Sequence, residues 1–360
     1  NLLQATNRLA EAEPLYRRSL AIDEASYSNG HPNVAIRLNN LAQLLKATNR
    51  LAEAELLMRQ ALAVDEASYG NDHPEVAINL NNLALLLQAT NRLAEAEPLM
   101  RRALAIDEAS YGNDHPEVAI NLNNLAGLLQ ATNRLAEAEQ LYRRALAINE
   151  ASYGNDHPKV ASSLNNQAGL LYATNRLAEA EPLYRRSLAI DEASYGNDHP
   201  NVSIRLNNLA GLLYATNRLA EAEPLFRSAL AIDEASYGND HPDVARDLNN
   251  LAQLLQETNR LAEAEPLMRR ALAIDEASYG NDHPDVAMDL NNLALLLHAT
   301  NRLEEAEPLS GRAARIFLAS LGRDHPNTQK AKGNYLKILQ AQSLPEIQIE
   351  AKLAALEQPG

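Results

Sequence analysis

Apolar residues recur along the chain at the spacing of one face of a helix. In residues 74–90, Val76, Leu80, Leu83 and Leu87 follow one another at steps of four, three and four. Positions at these steps share one side of an α-helix and form a single apolar stripe. The pattern therefore predicts an amphipathic helix over this segment, which we call helix A.

A second helix, helix B, is predicted from about Ala94 to Ser110, after a Thr-Asn-Arg turn. Pro74 suits the first turn of helix A, where it leaves no hydrogen bond unmade, and His73 or Asp72 can cap that turn. Gly112 follows helix B in the position of a C-terminal glycine cap. The side chains expected to be buried in helix B are Ala96, Leu99, Met100, Ala103, Leu104 and Ile106.

This pair of helices is repeated along the chain. A His-Pro dipeptide recurs every 42 residues, at His31, His73, His115, His157, His199, His241, His283 and His325. A fixed period of this size indicates stacked helical units, each of which contacts only its neighbours. We therefore predict an all-α fold, a right-handed superhelical α-solenoid of stacked antiparallel helix pairs.

The period alone also fits HEAT-type helical repeats, and the local pattern separates the two. The tetratricopeptide signature has large, large, small and large residues at steps of three, one and three, followed by Ala and an aromatic residue four positions later. The fifth copy has this order at Leu206, Leu209, Ala210, Leu213, Ala222 and Phe226. The pattern therefore predicts tetratricopeptide repeats.

The motifs Leu-Asn-Asn-Leu-Ala-x-Leu-Leu, Ala-Glu-Pro-Leu-Tyr-Arg-Arg-Ala-Leu and His-Pro-x-Val-Ala extend in close variants over nearly the whole chain. They closely resemble the repeats of kinesin light chains and of the bacterial and nephrocystin-type proteins that share this 42-residue variant. The chain departs from that family at Ala-Thr-Asn-Arg, where a Gly-Lys/Arg-Tyr type of turn is more common, and it lacks the family's heptad coiled-coil segment. The resemblance implies that helix A lines a concave binding surface, and it does not imply cargo adaptation for a motor.

The ends of the chain differ from its middle. Residues 1–30 match the end of a helix A plus a helix B and are interpreted as a truncated first repeat, and residues 31–324 as seven 42-residue repeats. Residues 325–343 are a degenerate copy that suits a capping helix, and residues 344–360 are a tail that could form a short helix. Because the chain opens within a repeat, we expect a preceding segment, and the uncapped first repeat could mediate self-association.

Composition narrows the classes of function. The chain has no cysteine, which excludes disulfides and thiolate metal sites and suits a reducing, cytoplasmic location. The net charge of −15 disfavours nucleic acid and anionic membranes as partners, because both are negatively charged. No apolar run approaches the roughly 20 residues that span a bilayer.

No catalytic or metal-binding constellation stands out. The recurring histidines lie at loop–helix junctions of helices about 8–10 Å apart, too far for successive imidazoles to share a metal at about 2 Å. Glu11 and Glu13, with their copies, are expected to be solvated carboxylates beside Arg17 and Arg18. We therefore predict no enzyme activity, no cofactor and no metal.

Differences between the copies concentrate on helix A, whereas helix B hardly changes. In the first copy they fall at Asn33, Ile36, Arg37, Gln43 and Lys46, whose spacings of three, four and seven place them on one stripe. Since the resemblance places helix A on the concave surface, we expect this stripe to form a peptide-binding groove.

A pair of asparagines recurs within this stripe. The second Asn of each pair is predicted to hydrogen-bond a ligand backbone, because an amide offers two donors and an acceptor. The alternative is that the amides tie neighbouring helices together, and the first Asn, as at Asn39, fits either role. The second asparagines are Asn40, Asn82, Asn124, Asn166, Asn208, Asn250 and Asn292.

The middle copies predict a pocket. Gly127, Gly169 and Gly211 lie within helix A, and the aromatic residues Tyr172 and Tyr214 follow the last two of them on the same stripe. Missing side chains beside an aromatic ring would leave room for an apolar anchor residue of a ligand. The alternative is that a bulky residue packs across this point and that glycine makes room for it.

Charge is uneven along the stripe. Arg37, Lys46 and Arg205 make the early and middle copies positive, and His298 completes the predicted groove residues. The last two copies are negative, with only Arg246 opposing four acids, Asp243, Asp247, Asp285 and Asp289. A ligand of mixed charge should therefore bind in one direction.

Together these features predict a protein–protein interaction scaffold that binds an extended peptide or a partner helix in its concave groove. The alternative is a structural or self-assembling repeat array with end-to-end or dimer contacts.

Overall fold

The computed structural model describes residues 9–357, and every regular element in this part of the chain is an α-helix. The helices are α1 (Leu9–Tyr27), α2 (Pro32–Ala47), α3 (Leu51–Tyr69), α4 (Pro74–Ala89), α5 (Leu93–Tyr111), α6 (Pro116–Ala131), α7 (Leu135–Tyr153), α8 (Pro158–Ala173), α9 (Leu177–Tyr195), α10 (Pro200–Ala215), α11 (Leu219–Tyr237), α12 (Pro242–Glu257), α13 (Leu261–Tyr279), α14 (Pro284–Ala299), α15 (Leu303–Leu321), α16 (Pro326–Ala341) and α17 (Glu346–Ala355).

The helices fall into two compact units, one with α1–α10 and the other with α11–α17. Within each unit, 16-residue A helices alternate with 19-residue B helices, as in α4 and α5 or α14 and α15. The all-α fold of paired helices is confirmed. The predicted end of a first helix A, at residues 1–8, lies outside the described residues.

Each helix A begins at a histidine cap. At α4 the Nδ1 atom of His73 accepts a hydrogen bond from the backbone N–H of Glu75 over 3.2 Å, and Pro74 occupies the first helical position. The imidazole also stacks on Tyr69, the last residue of the preceding helix, with ring centroids 4.4 Å apart. The His-Pro motif therefore encodes the start of the helix. The same cap forms at His31, His115, His157, His199, His241, His283 and His325.

The turn from helix A to helix B requires a left-handed residue. Asn91 has φ 58°, and the equivalent asparagines share this conformation. Asn tolerates the left-handed region better than residues other than Gly, because its short polar side chain can bond locally. Asn in the Thr-Asn-Arg turn therefore provides the left-handed conformation that glycine could also adopt.

The core is a series of thin layers of Leu and Ala. Leu83, Ala84 and Leu87 of α4 pack with Ala96 and Met100 of α5, and all five are at most 1% exposed. The alanines let the helices approach closely, while each fully buried Leu or Met contributes roughly 1.5–3 kcal/mol by leaving water. This arrangement explains how a chain with 2 Phe and 0 Trp stays folded.

Ion pairs connect successive helix B elements. Arg50 donates to Glu13 of α1 over 2.8 Å and to Glu53 of α3 over 2.6 Å, and Arg92 joins Glu55 and Glu95 in the same way. The hydrogen bond from Arg50 lowers the pKa of Glu13, although partial burial opposes it. Water screens exposed pairs and makes each of them weakly stabilising, but these pairs form a repeated network across the repeat interfaces.

Candidate functional site

A buried polar pair joins a helix B to the helix A that follows it. Asn79 Nδ2 donates to Asp65 Oδ2 over 2.7 Å, and Asn39 of the preceding helix A donates to Oδ1 of Asn79. Burial raises the pKa of Asp65, and the hydrogen bond from Asn79 opposes that rise. The donor is needed because an isolated buried carboxylate loses its hydration without replacement.

The helix B member of this pair hardly varies, whereas its helix A partner does. Each pair of the first unit supplies at least one hydrogen-bond donor, and its members are 14 residues apart in sequence. The pairs are Asp23–Arg37 (2.7 Å), Asp65–Asn79 (2.7 Å), Asp107–Asn121 (2.7 Å), Asn149–Ser163 (2.8 Å) and Asp191–Arg205 (2.8 Å).

Arg205 is buried and paired with an acid. The residue is 8% exposed, and its guanidinium donates to Asp191 over 2.8 Å and to Ser162 over 3.1 Å. We therefore assign Arg205 to helix packing and not to the free charge of a groove. Arg37 also pairs with an acid, Asp23, but 41% of its side chain stays exposed.

The second unit carries two acids at the equivalent place. Asp233 of α11 and Asp247 of α12 are 1% and 0% exposed. Arg246 Nη2 lies 3.1 Å from Asp233 Oδ2 and 3.2 Å from Asp247 Oδ1, and its Nη1 lies 2.6 Å from Asp243. Although burial opposes its charge, the attraction of Asp247, Asp243 and Asp233 raises the pKa of Arg246. One arginine thus compensates a group of three acids.

The next pair of acids, Asp275 of α13 and Asp289 of α14, has no such arginine among the described residues. Met288 stands where the preceding helix A has Arg246. Asn249 Nδ2 donates to Asp289 Oδ1 over 2.5 Å. Oδ1 of Asp275 and Oδ2 of Asp289 are buried and have no hydrogen-bond partner in residues 9–357, although the two residues are only 6% and 2% exposed.

These two carboxyl groups influence each other. Burial, followed by the charge of Asp289 and a hydrogen bond with it, raises the pKa of Asp275 to about 8. Burial likewise raises the pKa of Asp289 to about 7. Because two adjacent buried carboxylates repel each other, the pair retains a proton near neutral pH.

A cavity of about 360 Å³ opens over this pair. It lies among α12, α13 and α14, and three predicted groove residues line it, Arg246, Asn250 and Asn292. The remaining lining residues are Pro242, Asp243, Asn249, Gln253, Asp275, Tyr279, Asp285, Met288 and Asp289. The cavity therefore combines amide groups, an apolar side chain and an excess of carboxylates.

The second asparagines occupy equivalent places on their helices. Asn40 is exposed, and Asn82, Asn124, Asn166, Asn208, Asn250 and Asn292 are half-buried. Asn208 Nδ2 donates to Asn165 Oδ1 over 2.7 Å, so at least this amide also ties neighbouring A helices together. The first asparagines do so as well, since Asn39 and Asn81 both donate to the next helix A.

Four further predicted groove residues lie near the C-terminal ends of A helices. Tyr172 is 40% exposed, and Tyr214, Lys46 and His298 are half-buried. Burial lowers the pKa of Lys46. Their role in ligand binding stays a prediction.

The predicted pockets beside Gly127 and Gly169 are occupied by tyrosines of helix B. A Cβ atom at Gly127 would lie 3.5 Å from Tyr142 Oη, and one at Gly169 would lie 3.7 Å from Tyr184 Oη. Burial raises the pKa of Tyr142 to about 12. The alternative interpretation therefore holds here, because glycine makes room for a bulky residue of the protein itself.

Sequence reasoning missed Asp275 and Tyr279, which line the cavity from helix B. Both belong to the repeated Asp-Glu-Ala-Ser-Tyr segment, which was interpreted only as an extension of the helix. The signal that could have found the site is a constant acid followed 14 residues later by the most variable polar position, occupied by Asp289 in this repeat.

Within residues 9–357, no group of three or more histidine or acidic side chains has an arrangement that could hold a metal ion. None of the seventeen helices is long and apolar enough to cross a membrane.

The sequence model of the tetratricopeptide repeat family matches the chain seven times, at residues 1–67, 57–109, 75–151, 117–193, 159–235, 204–277 and 248–319. The chain belongs to this family. Tetratricopeptide proteins are in general non-enzymatic, and their stacked repeats present extended surfaces to protein partners. No curated protein matches the chain.

The chain is similar to several solved structures. The apo form of the quorum sensor NprR from B. thuringiensis has a TM-score of 0.63 and 12% identity, covering 99% of each chain. BtubC (BKLC) from P. vanneervenii has a TM-score of 0.51 and 24% identity, covering 69% of this chain and 94% of that one. TPR-like repeats of the kinesin-light-chain type from Podosopora anserina are 25% identical over 57% of this chain and 98% of that one, with a TM-score of 0.47.

Proposed function

We propose that this protein is an interaction scaffold that binds an extended peptide or a partner helix along the exposed edges of its A helices. The observation that carries this proposal is the cavity among α12, α13 and α14, which contains Asn250 and Asn292 at equivalent places of successive helices. A fold similarity to the quorum sensor NprR is compatible with such a role, but it concerns the fold alone.

The spacing of the asparagines suits a peptide backbone. Packed helices lie roughly 8–10 Å apart, and an extended peptide rises about 3.3 Å per residue, so one amide can serve about every third residue. An Asn side chain can donate to a carbonyl and accept from an N–H of the same strand. Such contacts give affinity for any backbone, and the variable side chains around them then set the sequence preference.

A peptide-library capture tests this proposal. The wild type should enrich a common sequence motif, and the Asn250→Ala/Asn292→Ala variant should lose that enrichment while its circular dichroism spectrum stays helical. The matched control is Arg227→Ala, which removes an exposed side chain of helix B that pairs with Glu223 four residues before it. Equal enrichment by the asparagine variant and the wild type would remove Asn250 and Asn292 from the binding surface and contradict the proposal.

A further inference from the structure

We propose that the Asp275–Asp289 pair is a receptor for a cationic side chain of the ligand, an arginine guanidinium or a lysine ammonium group that enters the cavity over α13 and α14. This inference rests on the proposed binding of a peptide or partner helix. It adds the chemical class of the anchoring residue and the place where that residue binds.

Two carboxyl groups are buried side by side at this site. Asp275 and Asp289 are 6% and 2% exposed, and each has one buried oxygen without a hydrogen-bond partner in residues 9–357. The amide of Asn249 donates to the other oxygen of Asp289. Oδ1 of the equivalent Asp65, Asp107 and Asp191 also has no partner in residues 9–357, so what distinguishes this site is that two buried acids lie together beside an open cavity with no cation of their own.

The preceding repeat shows how a cation compensates the charge of an equivalent pair of acids. There, Nη2 of Arg246 lies 3.1 Å from Asp233 and 3.2 Å from Asp247 and so contacts both acids of the equivalent pair. Arginine suits this task because its planar guanidinium presents several donors in a fixed geometry. Met288 replaces that arginine in the next repeat, and the cation is missing while both acids are retained.

The surroundings also favour a positive group. Asp285 and Glu276 act on Asp289 as further negative charges, and Asp243 and Asp285 line the cavity. Arg246, the one cation among its lining residues, already contacts three acids. A volume of about 360 Å³ is ample for a guanidinium with its methylene stem, because one water molecule takes about 30 Å³ of liquid volume.

The site should release a proton when it binds a cation. Burial raises the pKa of Asp289 to about 7, and burial together with the charge of Asp289 raises the pKa of Asp275 to about 8, so a proton holds the pair together when no cation is present. A bound guanidinium replaces that proton and favours the doubly ionised pair. Affinity should therefore increase from pH 6 to pH 8, by about tenfold if one proton is released over about one pH unit of that range.

Calorimetric titration with three small probes tests this inference on the whole chain. N-acetylarginine amide should bind, N-acetyllysine amide should bind more weakly, and the neutral isostere N-acetylcitrulline amide should not bind. Met288→Arg, which supplies the internal cation found in the preceding repeat, should abolish binding of the arginine probe. Asp289→Asn, which creates the amide found at Asn79 and Asn121, should weaken binding at least tenfold. The matched charge control is Ile120→Arg, at the equivalent helix A position of α6, and it should bind as the wild type does.

The results that would overturn this cation site differ from the results that would overturn the proposed scaffold function. The inference is overturned if the arginine probe does not bind at pH 8, if citrulline binds equally well, or if Met288→Arg still binds with its fold intact. Preferential binding of Ca²⁺ that competes with arginine would also overturn it, because the pair would then be a metal site. The peptide capture with Asn250→Ala/Asn292→Ala separately decides the proposed function, since neither substitution removes a carboxyl group from the pair.

Discussion

The hydroxyl oxygen of Tyr142 lies 3.5 Å from the place that a Cβ atom of Gly127 would occupy. The two residues are 15 positions apart, one in helix A and one in the helix B that follows. At the same two positions, an earlier repeat has the pair Leu85 and Met100. Where helix A has a small residue, such as Gly127, helix B has a large aromatic one, such as Tyr142. Where helix A has the larger Leu85, helix B has the unbranched Met100.

This size complementarity predicts the outcome of a double-mutant cycle on the free energy of unfolding. Gly127→Leu should destabilise the first unit by roughly 1–3 kcal/mol, because the added side chain would collide with the ring of Tyr142. Tyr142→Met should restore most of the loss, since the double variant recreates the Leu–Met pair of another repeat. The measurement is urea unfolding of the two single variants and the double variant, followed by circular dichroism. Additive effects of the two substitutions would show that the residues do not compete for one space.

The turn between helix A and helix B gives a second prediction. Asn91 has φ 58°, and an alanine in that region would lose the local hydrogen bonding that an Asn side chain offers. Asn91→Ala should therefore lower the free energy of unfolding by roughly 1–2 kcal/mol, whereas Asn91→Gly should cost at most about 0.5 kcal/mol. Thermal unfolding of both variants provides the comparison. A larger loss with glycine than with alanine would mean that the Asn side chain matters more than the backbone conformation.

Much of the fold follows from the sequence because its determinants are local. The apolar stripe of Leu80, Leu83 and Leu87, the His-Pro cap and the Asn-containing turn each act within one helix or one turn. The packing of the repeats against one another then follows from the repetition, because each helix pair contacts its neighbour in the same way. The helices begin and end close to the residues that these local rules select.

The candidate site was harder to predict, because it depends on which neighbour covers each face. The variable position of Arg37 lies on the same stripe as Ile36, yet most of its equivalents, such as Asn79 and Asp289, are buried against a helix B. Helix periodicity gives the direction of a side chain but not the identity of the helix beside it. The constancy of helix B has a structural cause as well, since residues such as Glu13 are held in the ion-pair network between repeats. The contrast between a constant helix B and a variable helix A is therefore not evidence that the variable stripe of helix A binds a ligand.

The histidine caps predict a loss of stability in acid. The cap requires an unprotonated Nδ1 atom, as in His283, which accepts from the N–H of Asp285 over 3.1 Å. Burial lowers the pKa values of His241 and His283, although nearby acids oppose this effect. A histidine with a lowered folded-state pKa contributes stability above its unfolded pKa of about 6.5, and that contribution is lost as the pH falls through the folded value.

We expect the double variant His241→Asn/His283→Asn to remove this acid sensitivity from the second unit. Asparagine is a good cap and does not titrate, so it should keep the helix starts and flatten the decline in stability below about pH 6.5. Urea unfolding at several pH values between 5 and 7.5 gives the comparison. His241→Ala/His283→Ala serves as the control, and it should be less stable than the wild type by roughly 1 kcal/mol per cap above about pH 6.5, with a difference that shrinks as the pH falls and the wild type loses its own caps. An unchanged acid limb in the asparagine variant would assign the sensitivity to other groups.

The paired acids of the second unit predict a pH dependence of opposite sign. Burial raises the folded-state pKa of Asp289 to about 7, and burial together with the charge of Asp289 raises that of Asp275 to about 8, far above the value of about 3.9 for an unfolded Asp. A carboxyl group with a raised pKa contributes stability below its unfolded pKa, and this contribution is lost as the pH rises through the folded value. The free energy of unfolding should therefore carry a component that falls between about pH 4 and pH 8.

Asp289→Asn should remove this decline, because an amide can donate to Asp275 as Asn79 does to Asp65 over 2.7 Å. The measurement is urea unfolding of the wild type and the variants across this pH range. As the pH rises, Asp289→Asn should gain stability relative to the wild type. Asn121→Asp, the reciprocal change in the first unit, should lose stability relative to the wild type. Parallel pH curves for wild type and Asp289→Asn would show that the pair is already ionised without cost.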